Sequence, residues 1–370
     1  MRIVLSIVLL LHGLLCVLGF AKAFSLAALP ALALPISKPM GVVWLASAAL
    51  LIASAAGLAW QTSWCWVVAL LGAILAQVAI VASWQDARFG TLGNLLALFV
   101  ALYAAFAWGP FGFRAEYHRR ARAALERASR AGPPRVVTEA DLASLPDRVQ
   151  RYLRFVGVVG RPLPRAFRVH FSGRIRSAAN APWMPFEGEQ TSVVSPGARL
   201  FILRAARSGV PFDALHAYEQ NAARMRVRVL SLAPMVDASG EAFSKTETVT
   251  LFNDLCIMAP AALIDPSIRW RVVDDRQVEA TYTQGPHTIR ATLVFGDAEN
   301  ADALVDFYSD DRPALAPDNT SFVPQRWSTP IREYRVRDGV RLASRGEGRY
   351  HPASGAYAYI EFSDLRVAYE

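Results

Sequence analysis

The fold of the larger part of this chain is decided by the stretch FRVHFSGRIRS, residues 167–177, in which apolar and polar side chains alternate. Phe167, Val169, Phe171 and Ile175 fall on one face of an extended chain, and arginine, histidine and serine side chains fall on the other. A period of two residues is typical of a β-strand with one buried face and one solvated face. The stretch therefore predicts an antiparallel sheet with a core on one side.

The same alternation recurs along the rest of the chain. It returns in residues 224–229, 268–273, 278–283, 288–295, 332–342 and 356–362, and residues 186–194 and 199–203 add further strands. Short connections between about ten such strands favour a meander, and a meander of this length closes into a strongly curved antiparallel sheet or a partial barrel.

One helical pattern interrupts the strands, in residues 245–264. Apolar side chains share one face and polar side chains share another, namely Val249, Phe252 and Cys256 against Glu247, Thr250 and Asp254. We expect this helix to cover the open side of the sheet. If the core beneath the helix is incompletely filled, the space is a ligand cavity.

The first 112 residues differ in composition, because they contain five charged side chains. They include four apolar stretches, about residues 3–21, 41–60, 64–84 and 91–109, and the whole chain has a mean hydropathy of +0.24. Each stretch is long enough to cross a membrane as a helix. The chain therefore divides into a four-helix transmembrane bundle (1–112), a basic juxtamembrane helix and linker (113–136) ended by Pro133 and Pro134, and a β-rich α+β soluble domain (137–370).

The distribution of basic residues predicts how the chain sits in the membrane. Residues 114–130 contain six arginines, whereas the loops between the apolar stretches hold the basic residues Lys22, Lys38 and Arg88. Because basic flanks stay inside, we expect a multi-pass protein of a bacterial inner membrane with its soluble domain in the cytoplasm. The basic run is expected to contact lipid headgroups or to form its own ion pairs, and we expect no nucleic acid as a partner.

The first apolar stretch ends in Ala21-Lys22-Ala23, a triplet that resembles a signal-peptidase site. A signal-peptide core has about 7–15 apolar residues behind a positive segment, whereas here a longer run follows the single Arg2. Retention is therefore favoured over cleavage, although the sequence leaves both open. Either outcome leaves the soluble domain on the same side.

Several polar residues fall within or beside the predicted spans. His12 and Lys22 are separated along the chain by about the same distance as Gln77 and Asp86, so the two pairs match in their depth in the membrane. Asn94 lies on the fourth span, near the same side of the membrane. We expect a polar cluster of these five residues. Interhelical hydrogen bonds that hold the bundle are the simpler interpretation, and a proton or small-ligand site is the alternative.

The soluble part contains few residues arranged for chemistry. The six histidines and three cysteines show no metal-ligand spacing beyond HAYE (216–219), in which we expect His216 and Glu219 to form a surface hydrogen bond. No nucleotide or cofactor motif is present. Weak catalytic candidates are carboxylates, namely Glu187, Glu189, Asp237 and Glu247. Candidate ligand-binding residues are aromatic, namely Trp183, Phe186, Phe252, Trp270 and Trp327. We expect no metal and no cofactor.

A family resemblance covers nearly the whole chain. It rests on HGLLCVLGFAKAF (12–24), SWQDARFGTLGN (83–94), LPDRVQRYLRFVGVVGRP (145–162), LFNDLCIMAPAAL (251–263) and WSTPIREYR (327–335). These segments resemble bacterial membrane proteins known as a domain of unknown function, number six-five-four-four. The resemblance implies no reaction. The curved sheet with a covering helix is also similar in outline to the half-barrels of bacterial lipoprotein carriers, which is an analogy of fold alone.

These patterns favour a membrane-anchored protein that binds a hydrophobic or amphiphilic ligand, such as a lipid, without catalysing a reaction. Two alternatives remain open. One is a membrane-associated hydrolase that uses Glu187 or Glu189 with Asp237 or Glu247. The other is a structural or sensory protein whose soluble domain docks a protein partner and binds no small ligand.

Overall fold

The computed structural model describes residues 1–30, 32–130, 132, 134–297, 300, 302–316, 318 and 321–370. The chain forms two compact units. The first comprises Met1–Glu116 with Leu230–Ala233, and the second comprises Tyr117–Val229 with Pro234–Glu370. The division between Glu116 and Tyr117 falls within the basic helix.

Nine α-helices occur in the described residues. They are α1 Arg2–Ala23, α2 Lys38–Ala59, α3 Cys65–Ala82, α4 Trp84–Ala87, α5 Gly90–Ala107, α6 Phe113–Ser129, α7 Glu139–Leu142, α8 Asp147–Val156 and α9 Glu241–Met258, and a 3-10 helix follows at Pro260–Ile264. By length and composition, α1, α2, α3 and α5 could cross a membrane. The predicted helical N-terminal region is therefore confirmed. The basic helix α6 ends at Ser129, and Pro133 lies outside the described residues.

A chain of hydrogen bonds joins three helices of the first unit. The Asn94 amide donates to Gln77 Oε1 (2.9 Å), so its Oδ1 accepts from His12 Nε2–H (2.8 Å). Gln77 Nε2 in turn donates to Thr91 Oγ1 (3.3 Å). His12 lies against the backbone of α5 at Gly93, where a Cβ would be 2.4 Å from His12 Nδ1. Only glycine leaves room for the imidazole ring at this position.

The two charged members of the predicted cluster are placed apart from this chain of hydrogen bonds. Asp86 accepts a hydrogen bond from the backbone N–H of Leu34 (2.8 Å). Lys22 lies in the last turn of α1, and among the described residues it forms no ion pair with Asp86. The structure therefore brings together His12, Gln77 and Asn94, and adds Thr91.

The second unit is built on a large antiparallel sheet. Its strands are β1 Ala166–Ile175, β2 Met184–Val193, β3 Ala198–Arg207, β4 Val210–Glu219, β5 Ala222–Val229, β6 Ala233–Ser239, β7 Arg269–Val272, β8 Gln277–Gln284, β9 His287–Phe295, β10 Leu304–Ser309, β13 Arg326–Ser328, β14 Ile331–Arg337, β15 Val340–His351 and β16 Tyr357–Tyr369, while β11 Ala314–Leu315 and β12 Phe322–Val323 form a separate pair.

The strand order is β6-β5-β4-β3-β2-β1-β16-β15-β13-β10-β9-β8-β7, with β14 also paired to β15. The first half is a meander, and the chain returns at its end to pair β16 with β1. A register shift lies between Ser172 and Gly173, where a Cβ on Gly173 would be 1.8 Å from the Glu361 carbonyl oxygen. The sheet is not a closed barrel, because β6 and β7 lie at its two edges.

Helix α9 is buried on nearly all sides, from Phe243 to Met258. Its apolar face packs on β8 and β10, where the Phe252 ring stacks on Tyr282 with centroids 4.7 Å apart and contacts Phe307. Its last carbonyl groups, which lack helical partners, accept hydrogen bonds from tyrosines. Tyr152 OH donates to the Cys256 carbonyl, and Tyr369 OH donates to the Met258 carbonyl, both at 2.8 Å.

The strands that the alternation predicts are present, and several others lack this pattern. In β4, Asp213, Ala214 and Leu215 are consecutively buried, so the strand has no solvated face to produce a period of two. Strand β10 likewise buries Leu304, Phe307 and Ser309 without regular alternation. The sheet therefore has more strands than the predicted number of about ten.

The contact between His12 and α5 predicts a specific double-mutant result. Gly93→Ala should lower the free energy of unfolding of the full chain in detergent by about 1–3 kcal/mol, because the new methyl group overlaps the imidazole ring. In a His12→Ala background the same change should cost less than about 0.5 kcal/mol, since the ring is absent. Equal costs in both backgrounds would contradict this packing.

Candidate functional site

A cavity of about 240 Å³ lies between α9 and the sheet, within the second unit. Strands from both halves of the sheet line it, together with α9. Most of the lining is apolar and includes Phe171, Phe201, Leu203, Phe212, Ile257 and Ile360. The space expected between the covering helix and the sheet is therefore present.

A cluster of buried charged side chains forms the polar part of the lining. Arg199 on β3 donates from Nε to Asp254 Oδ2 (2.6 Å) and from Nη1 to Glu247 Oε2 (3.4 Å). Glu247 and Asp254 are seven residues apart on α9, close to two turns, so they project on the same side. All three residues are less than one-tenth exposed.

Arg312, which follows β10, supplies a second buried positive charge. Its Nε donates to Thr250 Oγ1 (2.9 Å), and its Nη1 donates to the Tyr350 hydroxyl (3.0 Å). The guanidinium carbon lies 4.2 Å from the centre of the Trp327 ring, a favourable cation–π contact. Burial lowers the pKa of Arg312, but Tyr350 and Glu247 are among the neighbours that outweigh burial and keep the pKa above its ordinary value.

Glu247 is at the centre of this cluster. Burial raises the pKa of its carboxyl group, but His216, Arg199 and Arg312 outweigh burial and lower the pKa to about 2. His216 Nδ1 lies 3.9 Å from Glu247 Oε2, beyond hydrogen-bond distance. Glu247 is therefore ionised at neutral pH and cannot serve as a general acid there.

Neutral side chains and one further carboxylate complete the polar lining. Gln190 Nε2 donates to Asp254 Oδ2 (2.8 Å), and Thr329 Oγ1 donates to Asn253 Oδ1 (2.6 Å). A further carboxylate, Glu347, also lines the cavity. Its Oε1 accepts from Arg332 (3.0 Å) and from Arg349 (2.9 Å). Each carboxylate of the lining thus has an arginine partner.

The four carboxylates predicted from the sequence are placed differently from one another. Glu247 lines the cavity. Glu187 and Glu189 project from β2 on the face opposite to the buried Phe186 and Gln190, so they do not line it. Asp237 is on β6, half-exposed, and pairs with Arg224 at 2.6 Å. The structure does not bring Glu187, Glu189 or Asp237 to Glu247.

The five predicted aromatic residues also lie in different places, and not all of them line the cavity. Trp327 lines the cavity beneath Arg312. Phe186 and Phe252 are buried in the core, and Trp270 packs against it half-buried, but these three do not line the cavity. Trp183 lies outside it, with the guanidinium groups of Arg174 and Arg176 at 4.6 and 4.4 Å from its ring centre.

Several polar residues of the cavity were not predicted as site residues, namely Arg199, His216, Asp254, Arg312 and Glu347. Arg199 belongs to the predicted strand 199–203 and shares a face with Phe201 and Leu203, so an arginine on an apolar face was the available signal. Asp254 shared a polar helix face with Glu247 and Thr250, which is the face that lines the cavity. Arg312 follows β10, a strand that the sequence did not predict, and no local pattern marks this arginine as a site residue.

His216 and Glu219, the pair expected from the sequence, lie three residues apart on β4 and therefore point to opposite faces of the strand. His216 lines the cavity, whereas Glu219 accepts hydrogen bonds from Arg120 of α6 (2.6 and 2.8 Å). Within the described part of the chain, no group of three or more histidine, cysteine, aspartate or glutamate side chains is placed to hold a metal ion.

The low pKa of Glu247 predicts how stability depends on pH. Because the folded-state pKa of about 2 is below the ordinary 4.5, the stabilisation is present above about pH 4.5 and is lost as the pH falls towards 2. Glu247→Gln should therefore lower the free energy of unfolding near neutral pH by about 3 kcal/mol and weaken its acid dependence.

Chemical unfolding of the full chain as a function of pH measures this effect. Glu187→Gln is the matched control, because it removes the same charge from a residue outside the cavity, and it should change stability by less than about 0.5 kcal/mol. Equal effects of the two substitutions would contradict the assigned role of Glu247.

Comparison with known proteins gives a family and distant structural neighbours. No curated protein matches the chain. A crystal structure of a DUF1329 family protein from Desulfovibrio piger has 12% sequence identity and a TM-score of 0.34, over 60% of this chain and 92% of that chain. The model of a family of unknown function, DUF6544, matches residues 135–362. That match covers most of the chain and the lining of the cavity except Leu365, and the protein belongs to the DUF6544 family.

Proposed function

We propose that this protein is a membrane-anchored binding protein, and that its second unit holds a small amphiphile, such as a single-chain lipid, in the cavity beneath α9. One observation carries the proposal: a largely apolar cavity remains open inside an otherwise well-packed core. Small-molecule sites combine an apolar lining with a few placed polar groups, as this cavity does.

The size of the cavity limits its occupant. Its volume of about 240 Å³ is just below the usual range of small-molecule pockets, which begins at roughly 300 Å³. A single acyl chain suits this space, whereas a two-chain phospholipid is too large. Each buried methylene contributes about 0.8 kcal/mol, so a chain of moderate length is enough for useful affinity.

The proposed anchor is the set of four apolar helices α1, α2, α3 and α5. We place them in a bacterial inner membrane with the second unit on the cytoplasmic side, because the arginines of α6 outnumber the basic residues at the other flanks. A membrane anchor would keep the cavity close to a supply of lipid ligands.

The two alternatives have less support. A hydrolase needs a proton donor, but Glu247 is held ionised, and Glu187, Glu189 and Asp237 do not reach it. A protein that only docks a partner has no need of an open cavity, which costs stability. Binding of a small ligand accounts for both features.

A cavity-filling substitution tests the proposal. The full chain in lipid nanodiscs is titrated with glycerol monododecanoate, and native mass spectrometry counts ligands retained on the protein, with empty nanodiscs as background. Ala214→Phe should weaken binding at least tenfold, because Ala214 lines the cavity and the ring would occupy it. The expected wild-type result is retention of one ligand.

The matched control is Ala206→Phe. Ala206 lies on the neighbouring strand β3, is half-buried, and does not line the cavity. This variant should bind as the wild type does. No retained ligand on the wild type, or equal retention by the wild type and Ala214→Phe, would refute the proposal.

A further inference from the structure

The two buried arginines of the cavity have unused hydrogen-bond donors. A guanidinium carries five N–H groups. Arg199 uses two, towards Asp254 and Glu247, and Arg312 uses two, towards Thr250 and Tyr350. The remaining N–H groups donate to no acceptor among the described residues, although both side chains are nine-tenths buried and line the cavity.

The carboxylates of the lining are, in contrast, already engaged. Asp254 accepts from Arg199 and Gln190, and Glu347 accepts from two arginines. Glu247 accepts from Arg199 and lies 3.9 Å from Arg312 Nη2. The cavity therefore has hydrogen-bond donors that lack acceptors, and a ligand can provide an acceptor.

The charge of the lining decides which kind of acceptor fits. The lining contains two arginines and three carboxylates. Glu347 pairs with Arg332 and Arg349, which are partly exposed to solvent and do not line the cavity. Within the lining, Arg199 and Arg312 therefore face Glu247 and Asp254. With the imidazole of His216 neutral, these four side chains carry no net charge. A carboxylate ligand would add a buried negative charge with no counterion, and such a charge is strongly disfavoured.

We propose that the cavity selects amphiphiles whose polar end is an uncharged hydrogen-bond acceptor, such as an ester or amide carbonyl, and discriminates against free carboxylates. This inference rests on the proposed binding function and names its ligand class. The carbonyl oxygen accepts from the unused N–H groups of Arg199 and Arg312, and the chain lies against Phe171, Phe201 and Ile360.

The charge balance makes Glu247 and Asp254 determinants of specificity. Glu247→Gln removes one negative charge and leaves the arginines in excess, so a carboxylate ligand becomes the missing counterion. Asp254→Asn makes the same change in charge at a separate position. Both variants should therefore shift the preference from the ester towards the acid, and Glu187→Gln should not.

The matched ligands are dodecanoate and methyl dodecanoate, which differ in charge and carry the same acyl chain. Native mass spectrometry of the full chain in nanodiscs gives the ratio of their dissociation constants, at about pH 8, where free carboxyl groups are ionised and imidazole is ordinarily neutral. We expect the wild type to bind the ester at least tenfold more tightly. In Glu247→Gln and Asp254→Asn that preference should fall at least tenfold, with tighter binding of dodecanoate.

The outcomes separate this inference from the proposed function. Equal binding of ester and acid by the wild type would overturn the inference and leave the binding function in place. Binding of neither ligand would overturn both. An unchanged preference in a folded Glu247→Gln or Asp254→Asn protein, or the same shift in Glu187→Gln, would show that charge balance does not set specificity. Two variants are used so that the test remains if one does not fold.

Discussion

The buried ion cluster of Arg199, Glu247 and Arg312 determines how α9 sits against the sheet. A helix that presents carboxylates to the inside of a domain needs counterions there, since an unpaired buried charge is strongly unfavourable. Arginines from β3 and from the segment after β10 provide them. Their long side chains keep this face of α9 away from the sheet, so the apolar residues around the cluster do not close over the remaining space.

The opposite face of α9 is packed in the usual way. Phe252 stacks on an aromatic residue of β8 and contacts one of β10, and tyrosine hydroxyls donate hydrogen bonds to two of the final carbonyls of the helix. One face thus holds the helix in place and the other leaves an open cavity. This division gives the cavity fixed walls, which suits a pre-formed binding site better than a surface that closes only when a ligand is present.

Local patterns in the sequence predicted the four apolar helices, the alternating strands and the covering helix, because each has a repeated signal along the chain. Strand β4 escaped prediction since both of its faces are covered. The cavity was expected, but its charged residues come from distant segments, and the contacts of Arg199 and Arg312 with Glu247 are tertiary contacts that no local pattern reveals. Among the predicted aromatic residues, Trp327 could not be told from Trp270 by spacing alone.

The most direct test of the central claim is to locate a bound ligand by photocrosslinking. A glycerol monododecanoate analogue with a diazirine at the chain end is irradiated with the full chain in nanodiscs, and labelled peptides are mapped by mass spectrometry. We predict labels in β3, in the second half of α9 and in β16, and their loss in Ala214→Phe. Labels confined to α1, α2, α3 and α5, and unchanged in that variant, would contradict the claim that the cavity holds the ligand.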